Sequence, residues 1–130
     1  MKVKRIIANV AAGRVEAAQQ FYGTVLGLEL VMDHGWITTY GSDESANVQI
    51  SIAAHGGNGT PVPDLSIEVD DVDVALARMR EAGFPIEYGP ADEEWGVRRF
   101  YVRDPFGKLI NILAHINSSK SDSKPNEAAL

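Results

Sequence analysis

The chain has 130 residues, of which 45% are hydrophobic and 23% charged, a composition typical of one globular domain with its own core. Its net charge of −6 argues against a nucleic-acid partner, because phosphate binding needs a basic face. No apolar run approaches the roughly 20 residues that span a membrane, and the absence of cysteine excludes disulfides and thiolate metal ligands. We therefore expect a cytoplasmic protein without a membrane partner.

The first half predicts a strand, a helix and three further strands. Residues 4–10 alternate as a strand does, and a 3.6-residue apolar period then predicts a helix that ends at Gly27. The three following strands are predicted at residues 28–32, 36–40 and 47–53. The apolar helix positions, expected in the core, are Val15, Ala18, Phe21, Tyr22, Val25 and Leu26.

The second half repeats this order after a glycine-rich linker. A strand at 65–69 precedes a helix with Asp71 as its N-cap and Gly83 as its end. Its buried stripe is Val72, Ala75, Leu76 and Met79. Strands are predicted at 86–88, 97–103 and 108–114. Asp104-Pro105-Phe106-Gly107 fits a type I turn between the last two strands.

The two halves therefore predict an internal repeat. Gly27 and Gly83, which end the two helices, lie 83 − 27 = 56 residues apart. A repeated unit that cannot bury its apolar face alone packs on its twin, so we expect one domain over 4–116, with modules 4–54 and 63–115. Residues 117–130 lack periodicity and predict a disordered tail.

Strand alternation divides the predicted sheet into two faces. The apolar face, expected under the helices, comprises Ile6/Ala8/Val10, Val48/Ile50/Ile52, Leu65/Ile67/Val69, Phe100/Val102 and Ile110/Ile112. The other face is polar and mixed in charge. It fits either the solvated face of an antiparallel sheet or the lining of a curved sheet around a small molecule. Short neutral side chains on this face favour the lining.

The segments FYGTVLGLEL and WGVRRFYVRDPFGKLINIL resemble the vicinal oxygen chelate superfamily. That group includes glyoxalase I, extradiol dioxygenases, fosfomycin-resistance enzymes and bleomycin-resistance proteins, and the likeness covers about residues 4–115. The resemblance implies an α+β fold of two βαβββ modules that form a curved mixed β-sheet cup, with the helices on the convex face. It also implies a homodimer.

In metal-dependent members of this superfamily, ligands lie on the first and last strands of the modules. The resemblance carries these positions to Ile7, Asp64 and Asn111, with Gln49 or Ser51 on the fourth strand. Ile7 cannot ligate and Asn111 is a neutral donor, whereas transition metals prefer imidazole, carboxylate or thiolate. His34, His55 and His115 fall in predicted turns or beyond strands. We therefore expect no metal and no cofactor.

The leading hypothesis is a metal-independent, homodimeric small-molecule-binding protein. Asp64 and Glu68 would bind a cationic group, Arg99 or Arg103 an anion, and Trp95 would stack on the ligand at the rim. The expected ligand-binding residues are Asn9, Gln49, Ser51, Asp64, Glu68, Trp95, Arg99, Tyr101 and Asn111.

Two alternatives stay open. One is a metal-dependent lyase, isomerase or dioxygenase of the same superfamily, with His34, His55 or Glu29 as shifted ligands. The other is a ferredoxin-like interaction module, which does not account for three strands after each helix. Trp36 is expected in the core or at an interface.

Overall fold

The computed structural model describes residues 1–42 and 48–116, and it confirms the α+β class. Within these two ranges, eight strands belong to a mixed sheet, and one regular helix, α1, spans Val72–Glu81. The strands are β1 (Val3–Ala11), β2 (Glu29–Asp33), β3 (Ile37–Ser42), β4 (Val48–Ala53), β5 (Leu65–Val69), β6 (Ile86–Asp92), β7 (Val97–Arg103) and β8 (Leu109–His115). The predicted tail at 117–130 and the start of the predicted strand at residue 47 lie outside the described residues.

The described chain divides into two compact units with the same strand order. The first unit is Ile7–Val62, and the second combines Met1–Ile6 with residues 63–116. The order is β2-β3-β4-β1 in the first unit and β6-β7-β8-β5 in the second, with β4 parallel to β1 and β8 parallel to β5. Three strands follow each helical region, which agrees with the repeat and not with the ferredoxin-like alternative.

In the second unit, α1 packs on the sheet as its sequence predicts. The Asp71 carboxylate accepts hydrogen bonds from the backbone N–H groups of Asp73 and Val74, both at 3.1 Å, and so caps the helix. Gly83 follows the helix with φ +90°, a conformation that glycine adopts without strain. The buried core contains Val69, Val72, Ala75, Leu76, Phe100, Val102, Ile110 and Ile112.

The helical region of the first unit departs from the prediction. It consists of a 3₁₀ turn over Val15–Ala17 and a π-helical segment over Gln19–Val25, and Gly27 ends it with φ +73°. The wider i→i+5 turn moves side chains off a 3.6-residue stripe. The expected core positions Phe21, Val25 and Leu26 are consequently 56%, 67% and 56% exposed, so that prediction was wrong.

The helical region of the first unit packs on its strands in a buried apolar cluster. Ala18, Tyr40 and Ile52 are buried together, and Tyr22 packs against them. On β1 the predicted apolar face was wrong, because Ile6 and Val10 are exposed whereas Ile7 is buried.

The Asp104–Gly107 turn is confirmed by its hydrogen bonds. The Gly107 N–H donates to Asp104 O at 3.0 Å, and the Asp104 carboxylate accepts from the N–H groups of Phe106 and Lys108. This turn sets the register of β7 and β8 as an antiparallel pair. Within the described ranges, no helix is long and apolar enough to cross a membrane.

Candidate ligand-binding site

A row of polar side chains crosses the four strands of the second unit on the face opposite α1. Strand register pairs Ser66 on β5 with Asn111 on β8, Asn111 with Tyr101 on β7, and Tyr101 with Tyr88 on β6. We call Ser66, Asn111, Tyr101 and Tyr88 the second row. Ser66, Tyr101 and Asn111 are at most 1% exposed. Tyr101 and Asn111, both predicted to bind the ligand, therefore lie side by side in the interior of the unit.

Asn111 is the buried polar group of this row with unused hydrogen-bonding capacity. Its Nδ2 donates to Ser66 Oγ at 3.1 Å. Its Oδ1 is buried and has no hydrogen-bond partner among residues 1–42 and 48–116. Buried polar atoms are nearly always paired, so an unpaired amide oxygen calls for an explanation, and a bound ligand is one.

Next to the second row, the Arg99 guanidinium is fully buried among acidic and aromatic groups. Arg99 Nε donates to Glu93 Oε2 at 2.7 Å, and Nη1 donates to the Tyr101 hydroxyl at 3.0 Å. Its central carbon lies 5.0 Å from the ring centres of Trp95 and Tyr101 and 5.3 Å from that of Tyr88. Arg99 is therefore already paired within the protein, and the Trp95 ring packs against it.

Local backbone geometry brings β6 close to this arginine. Gly89 has φ +81°, and a Cβ there would lie 2.6 Å from Arg99 O. Beside it, the Tyr88 hydroxyl donates to Glu93 Oε2 at 2.7 Å. Burial, followed by this hydrogen bond, raises the pKa of Tyr88, which keeps the phenol protonated as a donor.

A second charged group on the same face, Glu68, is also paired internally. Its Oε1 accepts from Arg5 Nε at 2.7 Å, its Oε2 lies 3.0 Å from His115 Nδ1, and Lys4 Nζ is 3.7 Å from Oε2. Burial by itself would raise the pKa of Glu68, but the His115 hydrogen bond and the Arg5 charge lower it to about 2. The carboxylate stays ionised, and the protein's own cations surround it.

The first unit carries an equivalent row on β1, β4 and β3. Strand register pairs Asn9 with Ser51 and Ser51 with Thr39, and we call these three residues the first row. Ser51 and Thr39 are buried, and their hydroxyls share a hydrogen bond of 2.7 Å. Gln49, half-buried, lies two residues before Ser51 on the same strand.

The positions at which the resemblance implies metal ligands do not fit a transition metal. Ile7 is aliphatic and 1% exposed. Asp64 is exposed, and its Oδ2 accepts from the Leu109 backbone N–H at 2.8 Å. Asn111 and Ser51 offer only an amide and a hydroxyl. In the described part of the chain, no group of three or more His, Cys, Asp or Glu is placed to hold a metal ion.

The residues proposed as shifted metal ligands occupy other surroundings. His34 and His55 both stack on Trp36, with ring centres 6.3 and 5.1 Å from the indole. His55 Nδ1 accepts from the Gly57 N–H, and Glu29 is exposed at the start of β2. Trp36 is thus half-buried between imidazoles rather than a core residue.

Two residues of this region were absent from the sequence-based prediction. Glu93 is buried and neutralises Arg99, and Tyr88 extends the second row to the edge strand β6. An arginine predicted inside a sheet face requires a buried acidic partner, so Arg99 itself was the available signal for Glu93. The sequence contains no comparable signal for Tyr88. The register of β6 shifts on both sides of this residue, so strand alternation does not predict which face Tyr88 occupies.

A family model described as the Glyoxalase/Bleomycin resistance protein/Dioxygenase superfamily matches residues 5–112. No curated protein sequence matches the chain significantly.

Several crystal structures share the fold at low sequence identity. A superfamily member from Vibrio splendidus 12B01 has a TM-score of 0.62 and 17% identity, over 88% of this chain and 100% of that one. A variant of methylmalonyl-CoA epimerase from Streptomyces coelicolor, in complex with 2-nitronate-propionyl-CoA, has a TM-score of 0.62 and 18% identity, over 88% and 99%. A Legionella pneumophila structure, described as NAD-dependent benzaldehyde dehydrogenase, has a TM-score of 0.69 and 14% identity, over 85% and 99%. At these identities the likeness concerns the fold alone.

Proposed function

Because the chain belongs to the glyoxalase/bleomycin resistance protein/dioxygenase superfamily, we propose that it is a metal-independent small-molecule-binding protein whose ligand contacts the second row. The observation that carries this proposal is Asn111 Oδ1, which is buried and has no hydrogen-bond partner in the described ranges. Leaving such an oxygen unpaired costs about 1–3 kcal/mol, which a ligand N–H or O–H would offset. The hydroxyls of Ser66 and Tyr101 lie on either side of Asn111 in the row.

The charge distribution favours a neutral ligand. Glu68 is paired with Arg5 and His115, and Arg99 is paired with Glu93. A ligand charge would therefore compete with existing buried ion pairs, and breaking one of them is costly. We expect a small uncharged molecule that donates a hydrogen bond to Asn111 and lies against the rings of Tyr101 or Trp95.

Metal independence is supported by the chemistry of the side chains present. Ile7 has no donor atom, Asp64 is engaged with the Leu109 backbone, and Asn111 is a neutral amide. Such a set binds transition metals poorly in comparison with imidazole and carboxylate ligands. Asn9, Gln49 and Ser51, the ligand-binding residues predicted on the first unit, stay a prediction.

The proposed homodimer is supported by exposed apolar side chains on the first unit. Phe21, Val25 and Leu26 are between 56% and 67% exposed. Large apolar groups left in water often mark an interface between subunits. Sedimentation analysis of Leu26→Lys should show monomers where the wild-type chain sediments as a dimer, and a monomeric wild type would remove this part of the proposal.

Ligand binding is tested by Trp95 fluorescence in a Trp36→Phe background, where Trp95 is the remaining tryptophan of the two in the chain. Benzamide, neutral and hydrogen-bond donating, should quench Trp95 saturably, whereas benzoate should not. Asn111→Leu should weaken benzamide binding about tenfold, the equivalent of one lost buried hydrogen bond.

Glu87→Gln serves as the matched control, because Glu87 lies on β6 but is exposed and pairs with Arg103 at the surface. It should leave benzamide binding unchanged. Equal quenching by benzoate, or an unchanged affinity in Asn111→Leu with the fold intact by circular dichroism, would contradict the proposed function.

A further inference from the structure

The first unit contains a groove of about 250 Å³, on the side of the sheet where its helical region packs. We call it the Thr38 groove. Its volume is slightly below the range of ligand pockets, which is roughly 300–1,000 Å³, so only a small ligand fits. The residues lining it are Val15, Glu16, Gln19, Leu30, Asp33, Gly35, Thr38 and Tyr40.

Thr38 is a buried polar residue in the wall of this groove. It is 7% exposed, and its Oγ1 has no hydrogen-bond partner within residues 1–42 and 48–116. Thr38 alternates with Thr39, whose hydroxyl bonds Ser51 on the opposite face, so the Thr38 side chain lies on the groove side of β3. The Thr38 hydroxyl is therefore able to form a hydrogen bond with a ligand in the groove.

The charged groups that line the groove are both acidic. Asp33 on β2 lies opposite Thr38 on β3 in the strand register. The Oδ1 atom of Asp33 accepts a hydrogen bond from the Gly35 N–H at 2.8 Å. The other carboxylate oxygen of Asp33, Oδ2, is able to accept a hydrogen bond from a ligand. Glu16, on the other wall, forms a surface pair with Arg14 at 3.2 Å. Exposed pairs of this kind are weak, so the groove keeps a negative character.

The remaining lining combines apolar and neutral polar surface. Val15 and Leu30 supply aliphatic walls, and the Tyr40 hydroxyl donates to Gln19 Oε1 at 3.4 Å. An ammonium group needs carboxylate and hydroxyl oxygens as acceptors, and a short hydrocarbon arm needs an apolar wall. The groove offers both within one small volume.

We propose that the Thr38 groove is a second ligand site, which binds a small organic ammonium ion through Asp33 and Thr38 with its hydrocarbon arm against Val15 and Leu30. This site is independent of the second row, because every residue that lines it belongs to the first unit. The proposed ligand of the groove carries a positive charge, whereas the ligand proposed for the second row is uncharged.

The test is an amide-resolved NMR titration of the whole chain with benzylammonium chloride at pH 7, with benzyl alcohol as the uncharged comparison. Benzylammonium should cause saturable shifts at Asp33, Gly35, Thr38 and Tyr40, and benzyl alcohol should bind at least about tenfold more weakly. Asp33→Asn keeps the oxygen that accepts from Gly35 but removes the charge, and it should weaken binding about tenfold.

Thr38→Val preserves shape and removes the hydroxyl, and it should weaken binding by about three- to tenfold. Glu29→Gln is the matched control, since this exposed carboxylate lies on the same strand as Asp33 but outside the groove, and it should have no effect. Equal affinity for benzyl alcohol, no saturable shift, shifts centred on second-unit residues such as Asn111, or full binding by Asp33→Asn would each overturn the proposal. A failure here leaves the Trp95 titration unaffected, so the two proposals are separable.

Discussion

The first and second rows occupy equivalent places in the repeat but differ in chemistry. Asn9 and Ser66 begin the two rows and lie 66 − 9 = 57 residues apart. The first row is built from small side chains, and its Ser51 and Thr39 hydroxyls bond each other. The second row has two tyrosines and an amide with an unpaired oxygen, next to a buried arginine. The same topology thus carries small side chains in the first row and two aromatic rings beside a buried ion pair in the second row.

The opposite side of the sheet shows a parallel contrast. In the second unit a capped α-helix buries Val72, Ala75 and Leu76. In the first unit a 3₁₀ turn buries Val15, and Ala18 and Tyr22 belong to an apolar cluster with Tyr40 and Ile52. We infer that stability is concentrated in the second unit, whereas the first unit keeps its groove and its exposed apolar residues.

The largest effect expected from this contrast is at the buried ion pair of the second unit. Glu93→Gln leaves the fully buried Arg99 uncompensated, and we expect a loss of about 3–5 kcal/mol in the free energy of unfolding. Urea denaturation measures it. Glu87→Gln, which breaks the exposed pair with Arg103, should change the value by less than about 1 kcal/mol. Similar losses in both variants would contradict the assignment of Arg99 as buried and paired.

The two helical regions are compared by matched leucine truncations. Leu76→Ala in α1 opens a cavity in the core and should cost about 2–5 kcal/mol. Leu26→Ala, at the end of the first helical region, removes a side chain that is 56% exposed and should cost less than about 0.5 kcal/mol in the monomer. If both substitutions cost the same under monomeric conditions, the proposed concentration of stability in the second unit is wrong.

Acid sensitivity is expected from Glu68 in the second unit. Its pKa is lowered to about 2 in the folded protein, so the stability it contributes is present above the ordinary glutamate pKa and is lost as the pH falls from about 4.5 to about 2. The full shift would correspond to about 3 kcal/mol, and solvent screening reduces the expected loss to about 1–2 kcal/mol. Unfolding free energies measured across this range should fall less steeply for Glu68→Gln than for the wild type. Parallel curves would show that Glu68 does not carry the acid dependence.

The smallest effect is at the start of α1. Asp71→Ala removes the carboxylate that accepts from Asp73 and Val74, and it should lower the unfolding free energy by about 1 kcal/mol. Asp71→Asn, which retains an acceptor oxygen, should recover most of the loss. No recovery would indicate that Asp71 acts through its charge rather than as a cap.

Much of the fold followed from local sequence rules. Gly27 and Gly83 end the helical regions with positive φ, Asp71 caps α1, and the Asp104–Gly107 turn forms as its residues predict. These are local features, determined by a few neighbouring residues. The faces of β1 and of the first helical region were not predictable in the same way. A π-helical segment has no distinct apolar period that the sequence could show. Because both faces of β1 carry apolar residues, alternation alone does not predict which face of this strand is buried.

The candidate site was only partly predictable. Strand alternation identified Ser51, Tyr101 and Asn111 as members of one polar face of the sheet, and all three are buried. It could not show that Arg99 and Glu68 are engaged by Glu93, Arg5 and His115, since such pairs join residues distant in sequence or separated by turns. The charged ligand contacts stay a prediction, and the internal pairing of Arg99 and Glu68 is the reason why we propose a neutral ligand.

The central claim, that a neutral ligand binds without a metal, is tested most directly by one titration. Benzamide is added to the Trp36→Phe protein after treatment with EDTA, and again after addition of manganese, nickel or zinc, while Trp95 fluorescence is followed. We expect the same saturable quenching and the same affinity under all of these conditions. Quenching that disappears with EDTA and returns with one of the metals would contradict the claim and favour the metal-dependent alternative.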